Sequence, residues 1–119
     1  MNEIEVLQYL GEGYQPLVDF NGWRVAAINF KPSLTPDNFK SMERHLDTDE
    51  VFIPIKGENT LFIGDSQKRY DLEIGKLYNV KKGVWHHLCM SEDAFLVVVE
   101  NSDTSNSEMR YYDEVQTGC

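Results

Sequence analysis

Apolar and polar positions alternate over short stretches along most of this chain, and such stretches divided by turn residues predict β-strands. Residues 23–30 (WRVAAINF) are rich in β-formers, follow the turn dipeptide Asn21-Gly22 and stop at Pro32. Residues 51–55 (VFIPI) and 60–63 (TLFI) flank Lys56-Gly57-Glu58-Asn59, whose glycine and asparagine suit a hairpin turn. A further turn at 64–67 leads into residues 70–74 (YDLEI), where apolar and acidic residues alternate as on a half-buried strand before Gly75 breaks it. Strands are also expected at 77–80, 86–90 and 95–100, separated by Lys81-Lys82-Gly83 and Ser91-Glu92-Asp93. No helical period of apolar residues lasts three turns, so helix is expected only as a minor component, with one turn after Pro36 in the loop 34–40. Strands so regularly spaced, joined by such short turns, predict an all-β sandwich or barrel.

Length and charge narrow the picture. A chain of 119 residues, 41% hydrophobic and 26% charged, has room for one folded domain. Its core is expected at about 20–100, followed by a polar linker at 101–108 and a tail at 109–119. The tail carries Met109, Tyr111 and Tyr112, which need cover: they would close the barrel's end or contact a second copy in a homodimer. Eleven basic against twenty acidic residues leave a net charge of -9, which repels phosphate backbones and anionic lipid. The pairs Lys68-Arg69 and Lys81-Lys82 are too small to reverse that sign, so neither nucleic acid nor membrane is an expected partner. The longest aliphatic run, 94–99, cannot span a bilayer, and the start lacks the basic and apolar regions of a signal peptide; the expected location is cytoplasmic. Cys89 and Cys119 fit no zinc, redox or disulfide spacing and are expected to be free thiols.

The candidate chemistry lies between residues 43 and 86. Residues two apart on a strand share a face, so Glu43 and His45 point the same way, and Glu50 follows a short turn at 46–49. His86 comes just after the Gly83 turn, with His87 on the opposite, exterior face. By alternation from Glu50, Phe52 and Pro54 face inward, as do Leu88 and Met90 from His86. Tyr78 and Trp85 lie close enough to His86 to be further candidates for a pocket wall, so the cavity is expected to be apolar behind a polar mouth.

Two spacings resemble the cupin superfamily. Its first motif places a His-x-His pair, three or four residues, a Glu, six residues and a Gly. Here Glu43-x-His45, four residues, Glu50, six residues and Gly57 follow that order, with Glu43 in place of the leading histidine. The second motif runs Gly, five residues, Pro-x-Gly, two residues, His; here Gly75, Lys81-x-Gly83 and His86 keep the spacing with lysine for proline. The resemblance implies a jelly-roll β-barrel whose mouth binds a divalent metal through Glu43, His45, Glu50 and His86. Two imidazoles with two carboxylates make a harder site than three imidazoles with one, favouring Mn, Fe or Zn over copper. Alternatively Glu43 stays unligated, leaving a two-His, one-carboxylate triad. Either Glu43 or Glu50 is then a candidate acid–base group. The implied function is a metal-dependent enzyme on a small polar metabolite, a sugar or a hydroxy or sugar acid, of isomerase, lyase or dioxygenase type. The alternatives are a non-catalytic module that binds a small molecule and a purely structural barrel.

Overall fold

Asn21 and Gly22 both take positive φ, 48° and 90°, the backbone that a two-residue hairpin turn requires. They fold β1 (Gly13–Phe20) back on β2 (Trp23–Asn29). The computed structural model describes residues 3–116 and continues with β3 (Ser41–His45), β4 (Glu50–Lys56), β5 (Asn59–Ile63), β6 (Lys68–Asp71), β7 (Tyr78–Val80), β8 (His86–Met90), β9 (Phe95–Asn101) and β10 (Ser107–Tyr111). Two short 3-10 turns, Pro32–Leu34 and Pro36–Asn38, are the helical content among the described residues.

The strands form two five-stranded antiparallel sheets, ordered β1-β2-β9-β4-β7 and β10-β3-β8-β5-β6. This is an all-β barrel of the kind the strand pattern predicts, and the jelly roll that the resemblance implies. Between the sheets lie Ala26, Phe52, Leu61, Leu88, Met90, Leu96 and Val98, each removed from water by the inward half of its strand's alternation. Gly57 turns β4 into β5 at φ +72°, where a Cβ would come within 2.6 Å of the Ala94 backbone, so only glycine fits. Among the described residues no helix is long and apolar enough to cross a membrane.

A second, smaller cluster covers the outer face of the β10-β3-β8-β5-β6 sheet. Phe39, Met42, Phe62 and Cys89 are buried there, with Trp85 and Tyr112 packed against them. Phe39 stacks flat on His87, ring centroids 4.1 Å apart and 3° from parallel. Tyr112 meets Phe39 edge-on and donates its backbone N–H to Lys40 O. The tail thus closes an outer face of the barrel and adds an edge strand, β10, to β3.

Several expectations change. β1 was not foreseen, because Pro16 and the register shift between Pro16 and Val18 interrupt its alternation. Instead of a half-buried strand at 70–74, β6 spans Lys68–Asp71 and is exposed throughout, being the outermost strand of its sheet; only Leu72 beyond it is buried. His87 does leave the interior as alternation requires, yet Phe39 shields it from solvent. Trp85 carries the guanidinium groups of Arg44 and Arg110 over its ring, at 4.5 and 4.3 Å from its centroid, and does not border the pocket. Cys89 is joined in a disulfide and is not a free thiol, whereas Cys119 lies outside the described residues.

Candidate metal centre

Glu43 and His86 are direct partners across β3 and β8, and His45 projects from the same face of β3, two residues on. Glu50 opens β4 in the opposite sheet. One ligand atom from each of these four residues lies within 4.8 Å of the others. Glu50 Oε1 is the focus: His86 Nε2 stands 2.9 Å from it and His45 Nε2 3.3 Å. Glu43 Oε1 is more distant, 3.8 Å from His86 Nε2, and its side chain is 45% exposed against 7% for Glu50.

Both imidazoles turn their other nitrogen outward. His86 Nδ1 lies 3.0 Å from the Val84 carbonyl, which can only accept, so Nδ1 carries a hydrogen and, in the neutral ring, Nε2 a lone pair. His45 Nδ1 lies 2.7 Å from Ser107 Oγ. Despite their closeness, Glu50 Oε1 and His86 Nε2 are buried without a hydrogen-bond partner. Lone pairs from a carboxylate and an imidazole aimed at one another repel unless a proton or a metal cation lies between them. The cluster can therefore hold a metal ion, and its donor set of two imidazoles and two carboxylates suits one.

The electrostatics carry the same message. Burial opposes ionisation of Glu50, but its contacts with His45 and His86 outweigh that and hold its carboxyl well below the usual range. His45 is raised chiefly by its contact with Glu50. For His86, burial favours the neutral ring, and the Glu50 contact and charge more than reverse it. The buried Glu50 carboxylate thus favours positive charge beside it.

The cluster opens on a cavity of about 550 Å³. Of the foreseen wall residues, Phe52 and Leu88 border it. Pro54 is fully buried and Met90 belongs to the core, because both lie farther along their strands, towards the closed part of the barrel. Tyr78 borders a separate cavity of about 350 Å³ with Leu61, Ile63 and Leu77.

A second polar cluster in the wall escaped the sequence reading. Glu100 is buried at the end of β9, its carboxylate accepting a hydrogen bond from the Tyr14 hydroxyl. Arg24 Nη1 donates to that hydroxyl at 3.1 Å and stands 3.7 Å from Glu100 Oε2. Burial first, and the nearby Glu50 charge second, push the Glu100 carboxyl up to about 7. Leu96, Val98 and Glu100 share the inward face of β9, so alternation alone was enough to place this acid inside. Tyr14 belongs to the unforeseen β1 and left no such signal.

No protein-family model matches the sequence, and no curated protein matches it. Solved structures do match in shape. A cupin-2 domain containing protein from Shewanella frigidimarina aligns at TM-score 0.60 and 22% identity, over 77% of this chain and 84% of that one. Pac13, a nucleoside dehydratase, aligns at 0.61 and 7% over 91% and 93%; the Streptomyces protein has also been solved with uridine. KdgF from Halomonas aligns at 0.59 and 9% over 77% and 79%. At these identities the likeness establishes architecture alone, and it agrees with the two sheets and the cavity between them: this chain has the jelly-roll fold of the cupin superfamily.

Proposed function

We propose that the cavity is the active site of a metal-dependent enzyme acting on a small polar metabolite, a sugar or a hydroxy or sugar acid, by isomerase or lyase chemistry. The observation that carries this reading is the pair of buried atoms without a hydrogen-bond partner, Glu50 Oε1 and His86 Nε2, 2.9 Å apart at the cavity wall. Glu43, His45, Glu50 and His86 would hold a divalent ion of the Mn, Fe or Zn class. When bound, the ion supplies Lewis-acid polarisation of a substrate oxygen.

The protein groups around it divide the proton work. If the ion is held by His45, Glu50 and His86 alone, Glu43, the most exposed of the four, is left to take a proton from substrate carbon or hydroxyl. Glu100, kept protonated up to about pH 7, is the matching acid, and Tyr14 orients it. An exposed carboxylate and a buried acid bordering one cavity fit elimination or isomerisation, which move protons, better than oxidation by dioxygen. Ser33, Ser41, Thr104 and Asn38 offer hydrogen bonds to substrate hydroxyls, and Lys31 is the only lysine or arginine bordering the cavity among the described residues. Lys31 favours a substrate with one negative charge. Phe52, Leu88 and Ile28 give that substrate an apolar floor. The fold is shared with Pac13, a nucleoside dehydratase, which supports a lyase on a sugar-bearing substrate.

Metal content of protein purified without added metal or an affinity tag, compared with His45→Ala and His86→Ala, tests the site. The expected result is near-stoichiometric metal in the wild type and loss in both variants; equal content in all three overturns the assignment. Turnover of small sugars, sugar acids and hydroxy acids by the metal-loaded protein tests the activity. Stoichiometric binding without product would make the cavity a binding module.

A further inference from the structure

Ser107 lies outside both motifs, in the stretch 101–108 that the sequence reads as a polar linker. It opens β10, directly opposite His45 on β3. Its Oγ sits 2.7 Å from His45 Nδ1 and, at 2.5 Å, donates its hydrogen to the Thr104 carbonyl. A hydroxyl has one hydrogen to give. With that hydrogen committed to Thr104, Ser107 Oγ can meet His45 only as an acceptor. Nδ1 then carries a hydrogen, and in the neutral ring Nε2, 3.3 Å from Glu50 Oε1, presents its lone pair to the site.

We infer that Ser107, backed by Thr104, is a positioning residue: it locks His45 in the Nδ1–H tautomer and fixes the ring so that Nε2 faces the metal centre. His86 reaches the same state by another route, through the Val84 carbonyl in the turn just ahead of β8. That carbonyl is backbone and cannot be removed by substitution. The Ser107 hydroxyl can, so the tautomer of His45 is set by one side chain from the last strand of the barrel. Ligand histidines generally depend on such an outer partner, and losing it weakens metal binding about 10–100-fold. Ser107 is exposed, so water partly replaces the lost hydroxyl in a variant and the effect falls at the low end of that range. The consequence for affinity rests on the metal-site reading; the tautomer does not.

Two measurements on the full chain separate the two ideas. Long-range 1H–15N spectra of the metal-free protein, taken at a pH where His45 is neutral, report its tautomer. The expected pattern is Nδ1–H in the wild type and in Ser107→Thr, which keeps the hydroxyl, with a shift to Nε2–H in Ser107→Ala. Zinc titration against a chromophoric chelator should then show about tenfold weaker binding for Ser107→Ala and near wild-type binding for Ser107→Thr. Retention of Nδ1–H in Ser107→Ala, with a dispersed spectrum proving that the variant folds, overturns the positioning role. So does a changed tautomer with unchanged zinc affinity. Absence of zinc binding by the wild type would instead overturn the metal site and leave the tautomer result to decide Ser107.

Discussion

Phe39→Ala removes a side chain that lies outside the barrel and is nonetheless fully buried. Phe39 stacks on His87, contacts Phe62 at 5.0 Å between ring centroids and receives Tyr112 on its edge. Truncating a buried phenylalanine costs about 3–5 kcal/mol. Here the cover is one layer of tail, which can settle into the gap, so the expected loss is about 3 kcal/mol. That is a large share of the 5–15 kcal/mol typical of a whole domain. In urea, with a slope of about 1.5 kcal/mol per molar, the unfolding midpoint should fall by roughly 2 M.

The same variant has a second readout. Burial holds His87 down at about 4. A base whose folded pKa lies below its unfolded value is fully stabilising only above the unfolded value, 6.5, and that stability drains away as pH falls from 6.5 through 4. The slope cannot exceed about 1.4 kcal/mol per pH unit. With Phe39 gone, water reaches the ring, the His87 titration followed by NMR should move towards 6.5, and the acid sensitivity between those limits should shrink. A midpoint shift equivalent to under about 1 kcal/mol, with His87 still titrating near 4, would refute the account of the outer cluster.

Three further outcomes follow from the site and its turns. Glu100→Gln substitutes a neutral isostere for an acid whose folded pKa is raised from 4.5 to about 7; stability tied to it is present below 4.5 and lost as pH rises through 7, so metal-free Glu100→Gln should match wild type at pH 5 and exceed it at pH 8 in thermal unfolding. Saturating metal should raise stability by about 2.7 kcal/mol at a hundred times its dissociation constant, with a chelator reversing the gain, and no such rise is expected for His86→Ala. Gly57→Ala forces a Cβ to within 2.6 Å of the Ala94 backbone at φ +72° and should cost more than about 1 kcal/mol in urea unfolding, with no change in metal affinity.

Much of this arrangement was legible where the strands are regular. The hairpin around Gly57, the strand from His86 to Met90, and the shared face of Glu43 and His45 all follow from period two and turn chemistry. Glu100 was equally accessible by counting inward from Leu96 and Val98, but a lone acid after a run of valines reads as a strand end. β1 was hidden by Pro16, although Asn21-Gly22 announces a hairpin with two arms. Residue alternation correctly sent His87 outward, yet it says nothing about what lies beyond the sheet. The cover over His87 comes from Phe39 in a loop and from Tyr112 near the chain's end, contacts that no local pattern encodes.

Glu50 alone of the four candidate ligands stands on the β1-β2-β9-β4-β7 sheet; Glu43, His45 and His86 stand on the other. An ion held by all four would act as a clasp across the open edge of a book, while Phe52, Leu96 and their neighbours form the spine. The covers cannot part at the clasp without breaking ligand bonds. Loaded protein should therefore loosen first along the unclasped side, where β6 lies exposed and β7 is only three residues long, and hydrogen exchange there should be indifferent to metal while exchange in β3 and at the start of β4 slows sharply.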